Sequence, residues 1–204
     1  MTTESTPQSS WQRLREGNAR FVEGTTSHPN QDAFRRATLV NTQHPFAVIF
    51  GCSDSRLAAE IIFDVGLGDV FVVRTAGQVI DDAVLGSLEF STVELGVPLI
   101  VVLGHDSCGA VTATRDAVQT GQMPPGFLRD LVERITPSVL TSIRNEETDI
   151  NQMVEEHVKQ TCQRLVDSSR LISKAVDDGE VAVIGVTYHL EDGRAEIVSG
   201  SEAL

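Results

Sequence analysis

Phe46-Ala47-Val48-Ile49-Phe50-Gly51-Cys52-Ser53-Asp54-Ser55-Arg56 is the stretch on which the fold turns. A short, nearly continuous apolar run is followed at once by a glycine and then by a thiol, a carboxylate and a guanidinium. Such a run, with no polar alternation, is the pattern of a strand covered on both faces. Val70-Phe71-Val72-Val73, inside Asp69 to Arg74, repeats it, and so does Leu99-Ile100-Val101-Val102-Leu103 behind Pro98. Between the runs, Leu57 to Phe63 reads as a helical turn. Asp81 to Leu95 has helical spacing through Val84, Leu85, Leu88, Val93 and Leu95. Strand, helix, strand, helix, strand is the signature of parallel crossover units.

Outward from this centre, residues 1–8 read as a disordered tail. Ser9 or Ser10 then caps a helix to about Val22, whose stripe of Trp11, Leu14, Phe21 and Val22 is thin. Asp32 to Leu39 reads as a second short helix, and the arm of residues 9–40 is expected to lie on something else. Past the third strand come a helix over Ala110 to Val118, a Pro124-Pro125-Gly126 loop, and a helix from Phe127 to Ile143 that Pro137 is expected to bend or interrupt. Asp149 and Gln152 resemble a capping box for a helix running on to about Val176. Val181 to Tyr188 and Ala195 to Val198 flank Glu191-Asp192-Gly193, a hairpin signal for an antiparallel edge. The expected architecture is α/β: a central, mostly parallel sheet with an antiparallel edge strand, helices on both faces and an N-terminal helical arm, in one domain over residues 9–204.

Acidic side chains outnumber basic ones 29 to 16, giving a net charge of -13 that repels phosphate backbones and anionic lipid. No apolar run approaches membrane-spanning length, and residues 1–10 lack the basic start and apolar core of a signal peptide. Three cysteines are too few for a disulfide framework and suit a reducing compartment or metal ligation. A soluble cytoplasmic protein binding neither nucleic acid nor membrane is expected.

In open parallel sheets, sites form outside the carboxyl ends of the strands. Cys52 stands at one such end; His105 stands at another, in His105-Asp106-Ser107-Cys108-Gly109. Two cysteines and a histidine are the donor set of a zinc site with one position left open. Cys108 falls near a helix start, where the backbone dipole favours a thiolate. A carboxylate two residues from Cys52 is able to take the open position itself, and Arg56 is the group to hold Asp54 off it. His157 and Cys162, five apart on an apolar helical face, read as core or interface residues. His28 and His44 read as solvated surface, and His189 as a cap on the final hairpin. Gly51-Cys52-Ser53-Asp54-Ser55 is not a serine-nucleophile elbow, and Gly66-Leu67-Gly68-Asp69 precedes a strand, so it is not a dinucleotide fingerprint.

At Cys52-Ser53-Asp54-Ser55-Arg56, at Phe71-Val72-Val73-Arg74 and at Gly104-His105-x-x-Cys108-Gly109, the chain resembles the beta-class carbonic anhydrases, in that family's order and spacing, over roughly residues 10–200. The resemblance implies zinc-dependent hydration of carbon dioxide to bicarbonate and a proton, by a homodimer or a tetramer of dimers. It makes Cys52, His105 and Cys108 the zinc ligands and Asp54 and Arg56 a catalytic dyad, with Asp54 a fourth ligand in a closed state. It makes Gln43 the substrate-orienting glutamine, and Phe71, Phe90 and Gly109 the walls of the substrate pocket, Phe90 across the dimer interface. It also casts the N-terminal helices as an arm that embraces a partner subunit. A second, inhibitory bicarbonate site found in some bacterial members uses tryptophan, arginine and tyrosine; Arg74 and Tyr188 match, but Ile49 replaces the tryptophan.

The chemistry needs hydroxide at neutral pH, which zinc supplies by acidifying a bound water. Two thiolate ligands would soften that effect and push activity toward alkaline pH. Two rival readings stand beside this one: a hydrolase of carbonyl sulfide or carbon disulfide on the same scaffold, and a noncatalytic protein whose zinc is structural.

Overall fold

A computed structural model describes residues 5–204. Five strands form one sheet in the order β2-β1-β3-β4-β5. They are β1 (Ala47–Cys52), β2 (Val70–Thr75), β3 (Leu99–His105), β4 (Ala182–Tyr188) and β5 (Ala195–Ser199). The first four run parallel; β5 pairs antiparallel with β4 as the hairpin signal required. The α/β expectation therefore holds, including its antiparallel edge.

Alternation along the strands sorts the apolar side chains into two cores. Ala47, Ile49, Leu99, Val101, Leu103, Ala182, Ile184 and Val186 belong to one. Val48, Phe50, Ile100, Val102 and Val183 belong to the other. Onto the first pack α1 (Pro7–Val22) through Leu14, α5 (Gly109–Thr120) through Val111 and α6 (Leu128–Arg144) through Ile135 and Val139. Onto the second pack α4 (Asp82–Glu89) through Val84 and Leu88, and α8 (Arg170–Asp177) through Ile172. The long helix α7 (Ile150–Ser168) reaches the sheet where two glycines clear a path. A Cβ at Gly104 would lie 2.5 Å from Val158 Cγ2, and one at Gly185 2.7 Å from Val158 Cγ1. Val158 thus seats itself between two neighbouring strands.

Several boundaries differ from expectation, each for a local reason. α1 begins at Pro7 because Thr6 caps it, Thr6 and Ser9 forming a reciprocal box with proline in the first turn. Pro7 and Gln8 are therefore helical, and residues 1–4 of the expected tail lie outside the described residues. Most of the α1 stripe is covered by this chain's own core: Leu14 is fully buried and Trp11 and Phe21 pack beside it, while Val22 stays exposed. The short α2 (Ala33–Thr38) buries nothing, and its Phe34 is 78% exposed. Pro137 sits inside an unbroken α6. The helix expected to reach Val176 instead breaks at Ser169, whose extended backbone and hydroxyl, accepting from Ile172 N at 3.1 Å, start α8. After α4, residues Phe90–Glu94 widen into a π turn.

Candidate metal centre

The strand order reverses between β1 and β3, since β2 lies on one side of β1 and β3 and β4 continue on the other. Such a switch point opens a crevice at the carboxyl ends of the two strands. Cys52 ends β1 and His105 ends β3. Topology therefore makes neighbours of residues far apart in sequence. Cys108 follows one short turn later as the residue preceding α5, its carbonyl accepting from Thr112 N at 2.9 Å. That turn carries Ser107 in the left-handed region (φ 54), held by its N–H donating to Asn151 Oδ1 on α7 at 2.9 Å.

The ligating atoms of Cys52, His105 and Cys108 all lie within 4.8 Å of one another, and all three residues are buried. His105 Nδ1 is 2.9 Å from the Asp106 carbonyl oxygen, which can only accept. Nδ1 therefore carries the proton and Nε2 presents a lone pair, fully buried and without a hydrogen-bond partner. An orphaned nitrogen between two thiols is what a metal would satisfy. The two sulfurs are strongly coupled. Proximity to the Cys108 thiol draws Cys52 well below the ordinary thiol range, and the same contact, with burial, pushes Cys108 up. Cys52 Sγ also accepts the Gly77 N–H at 3.3 Å.

Asp54 faces this cluster, with Oδ2 3.8 Å from His105 Nε2. Arg56 holds the carboxylate at both oxygens: Nε donates to Oδ1 at 2.9 Å and Nη2 to Oδ2 at 2.8 Å, and the Arg56 N–H adds a third bond to Oδ1 at 2.9 Å. The Arg56 guanidinium keeps the Asp54 carboxyl far below the usual range, so it is ionised throughout the neutral region. Arg74 fixes the loop from β2, donating from Nε to Cys52 O at 2.9 Å and from Nη2 to Asp54 O at 2.6 Å.

Residues 47–195 match the family model described as carbonic anhydrase. The chain is 53% identical to a carbonic anhydrase of Mycolicibacterium smegmatis, over 96% of this chain and 95% of that protein. It is 54% identical to carbonic anhydrase 2 of Mycobacterium tuberculosis, over 93% and 91%. Among solved structures, the beta-carbonic anhydrase CcaA superposes with a TM-score of 0.72 at 26% identity, covering 93% of this chain and 87% of that one. The chain belongs to the beta-carbonic anhydrase family. Beta-carbonic anhydrases are carbonate dehydratases, so kinship and geometry agree that the cluster belongs to an enzyme. A similar fold occurs in two tetrameric beta-carbonic anhydrases from Sordaria macrospora, at TM-score 0.72 and 22% identity over 93% and 96% of the chains.

Within this beta-carbonic anhydrase chain, Cys52, Asp54, Arg56, His105 and Cys108 come together, and Gly109 stands exposed beside them at the first position of α5. Gln43, Phe71 and Phe90 do not join them. Gln43 lies at the amino end of the sheet, in a groove it shares with Leu67, Gly68 and Leu95. Phe71 pairs with Val48 at the start of β1, and its ring centroid is 6.3 Å from that of Phe90, which is 47% exposed. His157 and Cys162 are buried, as expected of core residues. His28 and His44 are exposed. His189 sits in the final hairpin, its ring between Asp106 and Glu196. Asn151 and Gly77, which position the Ser107 turn and touch the Cys52 sulfur, escaped the sequence reading. A glycine three residues past a strand-end arginine was the available signal for Gly77; for Asn151 there was none.

Proposed function

We propose that the chain is a zinc-dependent carbonic anhydrase that reversibly hydrates carbon dioxide to bicarbonate and a proton. The carrying observation is a buried imidazole nitrogen without a partner, set between two thiols, with an ionised carboxylate held beside it by an arginine. Two soft sulfurs and a neutral imidazole suit zinc, and three protein donors leave a fourth position for chemistry. Bound there, zinc would supply a nucleophile at neutral pH by acidifying water.

The chain's own residues do the rest. Asp54, ionised and aimed toward the cluster, would accept a hydrogen bond from a donor at the open position and fix its direction. Arg56 keeps that carboxylate from ligating; were the pair to part, Asp54 would close the site as a fourth ligand. Gly109, without a side chain, leaves room above the cluster. Because Gln43, Phe71 and Phe90 lie away from the cluster of their own chain, they serve as donor and apolar wall only from a second copy. That placement supports a homodimer, or a tetramer of dimers. Three free cysteines suit a reducing, cytoplasmic setting. No helix among the described residues is long and apolar enough to cross a membrane.

The test is stopped-flow hydration of carbon dioxide against pH with metal content measured on the same sample, and carbonyl sulfide and carbon disulfide run alongside. Activity proportional to bound zinc and rising toward alkaline pH is expected. A fully zinc-loaded sample with no hydration above the uncatalysed rate sinks the proposal.

A further inference from the structure

His157 lies on α7, 2% exposed, and nothing in the reaction described so far uses it. Its Nε2 is 2.8 Å from the Gly77 carbonyl oxygen. A carbonyl only accepts, so Nε2 carries the proton. Nδ1 is 3.1 Å from Ser138 Oγ on α6, itself also 3.1 Å from Gln160 Oε1. Burial pushes the imidazole down to about 4, leaving it neutral, so Nδ1 is an acceptor that shares the single Ser138 hydroxyl proton with Gln160 Oε1. Gly77 occupies the left-handed region (φ 64, ψ 25). A Cβ there would meet Ala110 Cβ at 2.8 Å and Ile135 Cδ1 at 2.9 Å, so only glycine fits the slot. One residue is thus held at its carbonyl by His157, while its N–H donates to Cys52 Sγ at 3.3 Å.

We propose that His157 is a positioning residue for the Cys52 ligand: by holding the Gly77 carbonyl from α7, it keeps the Gly77 N–H aimed at the sulfur. Resting on the metal reading above, this deepens it. An N–H donated to a thiolate withdraws charge from it, so the sulfur donates less to the metal it ligates. His157 then tunes the centre through two hydrogen bonds without touching it. A purely structural histidine would affect melting temperature alone.

The experiment compares wild type, His157→Phe and His157→Gln, each loaded with cobalt(II). Phenylalanine keeps the ring volume and loses the donor; glutamine keeps an N–H able to reach the Gly77 carbonyl. In His157→Phe the sulfur-to-cobalt charge-transfer band is expected at lower energy, the midpoint of the hydration pH profile higher, and metal affinity altered about tenfold. His157→Gln restores all three toward wild type. A folded His157→Phe with the band at its wild-type position overturns the proposal, as does a folded His157→Gln indistinguishable from His157→Phe. Should His157→Phe fail to fold, wild type loaded with cadmium-113 decides: coupling from the metal through Sγ to the Gly77 amide proton is expected, and its absence overturns the proposal. A wild-type chain that takes up no metal sinks the metal reading instead, so the two failures are distinct.

Discussion

Asp64→Asn is the substitution whose cost follows most directly from the structure. Asp64 ends the short helix α3 (Ala59–Ile62) region, is 2% exposed, and has φ 43. Asparagine tolerates that backbone, so the change isolates the carboxylate. Oδ2 accepts from Arg20 Nε at 2.6 Å, Ser27 N at 2.9 Å and Ser27 Oγ at 3.1 Å; Oδ1 accepts from His28 N at 2.9 Å. Burial alone would raise the carboxyl, but these donors outweigh it and bring it from 3.8 down to about 2. A depression of that size corresponds to about 2 kcal/mol of stability at neutral pH. The amide's NH₂ would also oppose one of the N–H groups, leaving it unsatisfied at a further cost of about 1 kcal/mol. Arg20 is 36% exposed and regains water, which keeps the total at about 3 kcal/mol instead of the upper range for broken buried pairs. The sign is that of a depressed carboxylate: the contribution is complete above pH 4 and fades as pH falls toward 2. Urea unfolding of both proteins, at equal chain concentration, should show the full gap at pH 7 and lose about 1 kcal/mol of it at pH 3. A gap below about 1 kcal/mol at pH 7, or one unchanged at pH 3, refutes the reasoning. Metal content should be unaffected, because Asp64 belongs to the anchoring of the N-terminal arm.

Cys52→Ala and His105→Ala are expected to lose metal and hydration together, measured by elemental analysis and stopped flow on one preparation; retention of stoichiometric zinc in either contradicts the ligand assignment. Asp54→Asn should keep its zinc while turnover falls about 100-fold, the scale of a lost proton acceptor at the reacting centre; undiminished turnover removes Asp54 from the chemistry. Gly104→Ala should destabilise the fold by about 2 kcal/mol, since its Cβ would fall 2.5 Å from Val158 Cγ2 in a close-packed interior; an unchanged denaturation midpoint would mean that α7 moves away freely.

The fold was legible because β1, β2 and β3 are continuous apolar runs and because Glu191-Asp192-Gly193 marks a hairpin, although two-sided burial holds only for β1 and β3, the edge strand β2 being half-exposed because no strand covers its outer side. The cluster was legible for a topological reason: Cys52 and His105 each follow such a run, and strand ends at a switch point converge. What stayed hidden depended on tertiary contact. Ser169 breaks a helix whose apolar periodicity continues through it, since periodicity reports which face is buried and not whether the axis turns. Pro137 reads as a breaker, yet only the N–H of one turn is lost and α6 continues. The covering of the thin α1 stripe by this chain rests partly on Asn18, whose side chain bonds Ile62 O, Gly193 O and Ala195 N across distant parts of the sequence.

Arg74 has a duty in the structure that matching residues do not reveal. By resemblance it belongs with Tyr188 to a second anion site lacking only the tryptophan that Ile49 replaces. In the structure, Arg74 stands on β2 and Tyr188 on β4, with β1 and β3 between them, a separation of roughly 14 Å at ordinary strand spacing. Ile49 is buried in the sheet interior at 1% exposure. The Arg74 guanidinium is already engaged on the carbonyls of Cys52 and Asp54, holding the backbone that carries both a ligand and the dyad carboxylate. An anion drawing Arg74 away would release the Cys52–Asp54 loop, so occupancy there and a correctly aimed Asp54 exclude one another. Arg74→Ala should therefore impair basal hydration directly, and without added bicarbonate; a variant with normal basal rates that differs from wild type only in bicarbonate inhibition would assign Arg74 to the anion after all.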